Sequence, residues 1–218
     1  MTRLTALGAF FLLFMGISGV QAQEVPGCGN LKNGYGPFDY RDPNARTNSL
    51  PIVEDFHFTI DVETLKHGKS GPVAADIGYT LRAFPNHPRA LRSIARYELE
   101  GGKFPEDSII PSADCYFQRA LAFAPDDQSV HITYANFLLK GGHKAEARQE
   151  YEEALRLAPD SAEINYNAGL FFLTMGDIER AKALAKVAYD QGYPLPGLNN
   201  KIAAAEAAGH ATAAARKK

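Results

Sequence analysis

The chain has 218 residues, enough for one or two ordinary domains, and its 23 Lys and Arg against 25 Asp and Glu leave a net charge of −2. That balance excludes a general nucleic-acid-binding protein, which is distinctly basic. With 45% apolar residues, wholesale disorder is excluded too. The two cysteines are too few for a disulfide-dense miniprotein or for an all-cysteine zinc site, which takes four.

Residues 1–22 have the pattern of a secretory signal peptide. Arg3 supplies one positive charge ahead of a nearly uninterrupted apolar run at 4–15, and a stretch of mostly small residues follows and ends at Ala22. A charged start, an apolar middle and small residues at the cut are what signal peptidase recognises. We therefore expect cleavage after Ala22 and a periplasmic or secreted protein.

Two alternatives to a cleaved signal are a membrane anchor and a lipoprotein signal. The apolar run at 4–15 is too short for an anchor, because a spanning helix needs about 20 apolar residues. A lipoprotein signal would end at Cys28, but Glu24 and Pro26 fit that signal poorly. We expect no stable membrane insertion after cleavage.

Small and aromatic residues recur every 34 residues through the second half of the chain. The helical spacing between them predicts two helix pairs, and a proline closes the second helix of a pair. The recurring positions are Ala113, Ala147 and Ala181, then Ala120, Ala154 and Ala188, with Phe117 and Tyr151, and Pro125 and Pro159. The predicted helices are 131–140 with 145–157, and 164–174 with 178–190.

This pattern resembles the tetratricopeptide repeat (TPR). The best repeat, 128–161, supplies Tyr134, Ala135, Leu138, Ala147, Tyr151, Ala154 and Pro159. The resemblance implies an all-α, TPR-type helix-turn-helix solenoid of about three repeats. Helix 89–100 would open the first repeat, a half-repeat at 77–85 would cap it, and a C-terminal helix would follow the third.

An insertion of six residues separates the two helices of the first repeat, within 103–112. Phe104, Ile109 and Ile110 lie in it. Apolar loop side chains either pack on the N-terminal segment or await a partner. Packing is the favoured prediction.

The chain divides into four parts. After the signal peptide, 23–71 is an irregular segment with one short helix starting at Asp61, capped by Thr59 or Asp61. The TPR domain spans 72–195, and 196–218 form a C-terminal capping helix and tail. The stretches GPFDY, HFT and YTLRAFPNHPRAL also resemble a group of exported bacterial TPR proteins. That resemblance implies a location and a fold, but no mechanism.

Motifs that carry chemistry are absent from the sequence. It contains no HExxH, GxSxG, Walker loop, CxxC or GxGxxG, and no His pair at i, i+4. We therefore predict a non-enzyme without cofactor or metal. His57, which has acidic neighbours, is the one candidate base, although an anchoring role explains it more simply.

One set of polar residues falls where first helices of TPR repeats line a concave groove. Arg89, Arg92 and Arg96 share a helix face at i, i+3 and i+7, and Asn136, Lys140 and Asn167 occupy groove positions in the next repeats. In chaperone-adaptor TPR domains, which these positions resemble, such residues clamp the C-terminal carboxylate of a peptide. The resemblance is partial, because Glu163 is acidic where that family is basic.

Two alternatives compete with peptide binding at this face. The arginines are simply a solvated stripe, or acidic residues of the irregular segment lie against them. The candidates for such self-occupation are Asp39, Asp42, Glu54 and Asp55.

Cys28 and Cys115 are predicted to form a disulfide. They are the only two cysteines, and an exported chain meets an oxidising compartment. The alternative is a reactive Cys115 thiol, because Ser112 would cap its helix and place it in the first turn.

The sequence thus predicts a non-catalytic interaction module outside the cytoplasm that binds a protein partner, with an acidic or carboxylate-ended segment in the groove. One alternative is a ligand-binding or enzyme-like accessory protein whose His57 segment closes over the groove. A purely structural subunit of an envelope assembly is the third interpretation.

Overall fold

The structure is a computed structural model that describes residues 24–105, 108, 110 and 112–215. The predicted signal peptide, 1–22, lies outside the described residues. The described part folds into eleven helices and one two-stranded hairpin. The hairpin consists of β1 (Glu24–Val25) and β2 (Gly29–Asn30), and the helices are α1 (Pro43–Asn48), α2 (Leu50–His57), α3 (Ile60–Glu63), α4 (Val73–Ala83), α5 (Pro88–Leu99), α6 (Ala113–Phe123), α7 (Gln128–Lys140), α8 (Lys144–Leu157), α9 (Ala162–Thr174), α10 (Ile178–Asp190) and α11 (Gly197–Ala215).

Three antiparallel helix pairs, α5–α6, α7–α8 and α9–α10, form the solenoid and confirm the predicted all-α architecture. The turn after each first helix contains a glycine with φ near +80 to +90°: Gly101 (87°), Gly142 (87°) and Gly176 (81°). A side chain is unfavourable in that left-handed conformation, so glycine ends these helices. The second helices α6 and α8 end just before Pro125 and Pro159, as predicted.

The repeated alanines let the helices approach closely. Both alanines of each pair are fully buried, and an aromatic residue between them, Phe117 or Tyr151, fills the space beside the crossing in the first two repeats, whereas Ala185 takes that position in the third. Phe117 stacks on Tyr134 with ring centroids 4.8 Å apart, and Tyr151 stacks on Phe171 at 4.6 Å. The 34-residue period therefore corresponds to one repeated packing unit.

The N-terminal segment has more structure than predicted. The prediction of one short helix from Asp61 was wrong, because α1, α2 and α3 all lie before Gly71, together with the β1–β2 hairpin. The third of them begins at Ile60, with Thr59 in the N-cap position but without a side-chain cap hydrogen bond. The first begins at Pro43, where the Asp42 side chain accepts from the Asn44 amide. Helices this short leave too few turns to show a period.

The segment packs on α4 and on the neighbouring turn. Leu50 and Val53 from α2 form a small core with Phe84, next to α4. Arg41 donates to Asp126 at 2.9 Å, across 85 residues of sequence, and so fixes the segment to the loop between α6 and α7. The segment is thus part of the folded unit.

The C-terminal helix closes the other end of the solenoid. It begins at Gly197, four residues before the predicted start at Lys201. Leu198 is fully buried against α9, where a Cβ on Gly169 would lie 2.6 Å from its Cδ2. The glycine therefore provides the space for the leucine. No helix of the described part is long and apolar enough to cross a bilayer.

The insertion in the first repeat packs onto the fold. Ile110 is 3% exposed and belongs to the main core, and the Phe104 ring lies edge-on to Tyr97 at 5.7 Å. Packing is therefore confirmed, but Phe104 packs on Tyr97 of α5 and Tyr116 of α6 and not on the N-terminal segment as predicted. Ile109 lies outside the described residues.

Candidate peptide-binding groove

One groove collects every residue that the sequence assigned to a binding face. Its walls come from the first helices α5, α7 and α9 and from α3, and its volume is about 1010 Å³. The predicted residues that line it are Arg89, Arg92, Arg96, Asn136, Lys140 and Asn167. The shared face inferred from helical spacing is therefore present in three dimensions.

Arg89 is already bound within the chain. Its guanidinium donates from Nε to Glu63 Oε1 at 2.9 Å and from a second nitrogen to Glu63 Oε2, and it reaches Glu54 Oε1 at 3.2 Å. The hydrogen bonds to Glu63 raise the pKa of Arg89, and those from Arg89 lower the pKa of Glu63. This arginine is consequently a structural link between α5 and the N-terminal segment.

The next two arginines are more available. Arg92 is exposed and has no hydrogen bond or ion pair within the described residues. Arg96 is also exposed; it donates to the Glu63 carbonyl at 3.1 Å and lies 3.6 Å from the Glu100 carboxylate. Exposed ion pairs of this kind contribute little and exchange readily for other partners.

The polar residues on α7 and α9 present hydrogen-bonding groups to the groove. Asn136 donates to the Ile132 carbonyl at 2.8 Å and accepts from the Tyr151 hydroxyl at 2.8 Å, so its amide is fixed in place. Asn167 donates to the Glu163 carbonyl at 2.9 Å. Lys140 has no ion-pair partner in the part of the chain that the structure describes.

The wall contributed by α3 was missed by the sequence reasoning. Ile60, Glu63 and Thr64 line the groove beside the arginines, and two apolar side chains there are open to solvent: Ile60 is 65% exposed and Leu99 40%. A four-residue helix carries no periodicity, so the sequence held no signal that would place it at this wall. The groove thus combines cationic groups with exposed apolar surface.

The self-occupation hypothesis is partly right, but with a different set of residues. Glu54 does contact Arg89. Asp39 was expected there and instead holds Arg41 and Asn86, with Asn86 Nδ2 donating to it at 2.7 Å. The bond to Arg41 lowers the pKa of Asp39 to about 2, even though burial acts in the opposite direction. The carboxylates of the N-terminal segment that bind Arg89 are those of Glu54 and Glu63, and of these two Glu63 lines the groove.

His57 lies apart from the residues that line the groove. Its Nδ1 donates to Asp76 at 2.9 Å, and its ring stacks on Tyr79 with centroids 3.8 Å apart. Asp76 in turn accepts the backbone amides of Lys69, Ser70 and Gly71. This arrangement fixes the loop before α4, which is the anchoring role that the sequence also allowed for His57.

A disulfide joins Cys28 of the hairpin turn to Cys115 in the first turn of α6, with Cα atoms 5.1 Å apart. Ser112 caps that helix by accepting from the Cys115 amide, as predicted. Beside the bridge, Arg119 is 2% exposed and donates to the carbonyls of Cys28 and Asn30. The hairpin is therefore attached to α6 both covalently and by hydrogen bonds.

Two comparisons with known proteins agree with this geometry. A family model described as Tetratricopeptide repeat matches residues 129–161, which cover α7 and α8. Residues 129–161 of this chain are therefore similar to one tetratricopeptide repeat. A solved structure described as a functional characterisation of Pseudomonas aeruginosa PilF is similar in fold, with a TM-score of 0.52 and 20% identity over 80% of this chain and 73% of that one.

TPR solenoids generally bind other proteins and are typically not catalytic. The first helices α5, α7 and α9 lie together on one side of this solenoid. First helices form the concave surface of such a solenoid, and that surface is the one that binds other proteins. Across the described residues no group of three or more His, Cys, Asp or Glu side chains is arranged to hold a metal ion. The lining of the groove combines charged, amide and apolar side chains.

Proposed function

We propose that this protein is a non-catalytic interaction module outside the cytoplasm, and that its groove binds an acidic segment or a C-terminal carboxylate of a partner protein. The observation that carries the proposal is the presence of two cations without a hydrogen bond or ion pair among the described residues, Arg92 on α5 and Lys140 on α7, in the lining of one groove. Two positive charges in one groove suit a chain that carries a negative charge.

The chemistry of the groove favours a carboxylate ligand. A guanidinium donates two parallel hydrogen bonds to a carboxylate, and an ammonium adds a point charge. The Asn136 and Asn167 amides are spaced along the groove to bind a peptide backbone, and Ile60 and Leu99 supply apolar contact. Glu163 at the α9 wall disfavours a ligand that is acidic along its whole length.

Export is supported by two features. The pattern of 1–22 is that of a signal peptide, and a structural disulfide suits an oxidising compartment. Cell fractionation, with mass determination of the purified protein's N-terminus, tests both parts. A protein that begins at Gln23 in the envelope fraction is the expected result, and an intact Met1 in the cytosol would contradict it.

The binding test uses peptides selected on the purified protein from a random phage-displayed library. The variant Arg92→Gln with Lys140→Gln neutralises both cations. Its affinity for an acidic peptide should be lower by about tenfold or more, because each charged hydrogen bond contributes ~1.5–3 kcal/mol. The melting temperature should change little, since neither side chain has a hydrogen bond or ion pair among the described residues and Glu63, whose pKa Arg92 helps to lower, keeps its hydrogen bonds to Arg89. Lys144→Gln, an exposed lysine on α8 away from the groove, is the control. Equal affinity in all three proteins would remove the groove from the function.

A further inference from the structure

Exposed apolar side chains are concentrated in one short stretch of the sequence that leads to the groove wall at Ile60. Five large apolar residues of the described chain are strongly exposed, and three lie within nine residues of sequence: Ile52 (52%), Phe56 (59%) and Ile60 (65%). A fourth, Leu99 at 40%, lines the groove. Scattered single residues of this kind need no explanation, but a cluster beside a binding groove does.

We call Ile52, Phe56 and Ile60 the outer row. On α2, Leu50 and Val53 are buried, so Ile52 and Phe56, spaced i and i+4, share the opposite face. Ile60 begins α3 and is itself part of the groove wall. The outer row thus reaches the groove at Ile60, three residues after the end of α2.

The backbone beneath the outer row is firmly anchored. Val53, Phe58 and Val62 are between 0% and 2% exposed. His87, which is fully buried, accepts the Ala90 amide on Nδ1 and so donates from Nε2 to Glu54 at 3.0 Å. Burial lowers the pKa of His87, in agreement with a neutral ring. A partner would meet a preformed surface, which keeps the ordering cost of binding low.

We propose that the outer row is the second half of the partner interface: the segment that places an acidic residue near Arg92 continues past Ile60 and packs apolar side chains on Phe56 and Ile52. This inference rests on the groove function proposed above. Charge complementarity supports it, because α3, which begins at Ile60, is in direct contact with the arginines of the groove through the Glu63 bonds to Arg89 and Arg96. The partner segment is thus acidic and apolar together.

A second copy of the chain fits the outer row less well. An isologous dimer brings the same patch of each protomer together. Asp55 lies beside Phe56 on the exposed face of α2 and has no partner among the described residues. Such a dimer would oppose two unpaired carboxylates across an apolar contact, which is unfavourable.

The experiment compares two peptides on four proteins. The probes are a library-selected peptide and the same peptide without its apolar half, measured by fluorescence anisotropy. The proteins are the wild type, the outer-row variant Ile52→Ser with Phe56→Ser, the groove variant Arg92→Gln with Lys140→Gln, and Leu195→Ser as a control. Leu195 is also exposed (55%) but follows α10, at the other end of the solenoid.

The outer-row variant should bind the full peptide about tenfold more weakly, bind the truncated peptide like the wild type, and keep its melting temperature. The groove variant should lose affinity for both peptides, and the control should match the wild type. Wild-type affinity of the outer-row variant for the full peptide overturns the inference and leaves the groove function standing. Wild-type affinity of the groove variant overturns the groove function instead. The outer-row inference is also overturned if the selected peptides do not combine acidic with apolar residues. It is overturned as well if sedimentation shows a dimer that the outer-row variant abolishes.

Discussion

The Arg89 guanidinium and the Glu63 carboxylate, 26 residues apart in sequence, meet in the groove through two parallel hydrogen bonds. One of the three arginines assigned to partner binding is thus neutralised inside the chain. Because Phe58 and Val62 anchor the same segment in the core, this carboxylate is a fixed part of the wall. Glu63 makes the groove less cationic than its arginine count implies.

Neutralising that carboxylate, Glu63→Gln, should raise the affinity for acidic peptides. The substitution removes one negative charge from the wall and leaves the backbone carbonyl that Ser93 and Arg96 use. The side chains of Arg89 and Glu63 are 38% and 25% exposed, so the lost ion pair should cost only about 1 kcal/mol of stability. Urea denaturation and anisotropy measure the two effects. A peptide that binds the variant more weakly than the wild type would contradict this account of Glu63.

Removal of the Cys28–Cys115 disulfide should destabilise the fold. The bridge closes a sequence separation of 87 residues, for which the chain-entropy model gives about 4–5 kcal/mol; delivered values of about 2–4 kcal/mol are typical. Cys28→Ser with Cys115→Ser should therefore lower the urea midpoint, and reduction of the wild type should do the same. The check begins with a thiol count on the unreduced protein in denaturant. Two free thiols there would rule out the bridge.

The repeats and the bridge were predictable, because each leaves a mark on the sequence. The 34-residue period reports a packing unit that occurs several times, and two cysteines allow only one intramolecular pairing. The burial of Arg119 could not be predicted in this way. The residues 34 and 68 positions after it are Glu153 and Val187, and the partly exposed Glu153 predicts a surface position for Arg119 as well.

Arg119 is buried because the hairpin covers α6 in this repeat alone. It donates to the Cys28 and Asn30 carbonyls, and its Nε has no partner in the described structure. Burial lowers the pKa of this arginine. Contacts between an irregular segment and a repeat follow from the tertiary fold, not from local periodicity. The groove wall at Glu63 was missed for the same reason.

Shortening the Leu198 side chain in the variant Leu198→Ala should release the C-terminal helix from the solenoid. Leu198 is fully buried and fills the space beside Gly169, so the loss should be about 2–5 kcal/mol. Leu195→Ala, at a 55% exposed position, should cost much less and serves as the control. Denaturant unfolding followed by circular dichroism measures both.

The space at Gly169 gives this prediction a second test. Gly169→Ala in the wild type places a Cβ 2.6 Å from Leu198 Cδ2 and forces that side chain to move. In the Leu198→Ala background the clash is gone, and only the gain in helix propensity of up to about 1 kcal/mol remains. The two substitutions should therefore be non-additive. Simple additivity would mean that α11 does not pack on α9 as described.

The stability of the second repeat should depend on pH through His131. Its Nδ1 bonds to Glu150 on α8 at 2.6 Å and its Nε2 to the Pro125 carbonyl at 3.0 Å, so both ring nitrogens donate and the ring is charged. Burial lowers the pKa of His131, but these hydrogen bonds outweigh it, and the pKa lies above its usual value. A raised pKa in the folded state gives stability that is complete below about pH 6.5 and is lost as the pH rises through the folded value. We expect the loss to be about 1–2 kcal/mol, measured as the free energy of unfolding in urea from pH 5.5 to 8.5. His131→Gln keeps a donor to Glu150 and should flatten this part of the profile. A variant profile that still falls as steeply as that of the wild type would assign the pH dependence to another group.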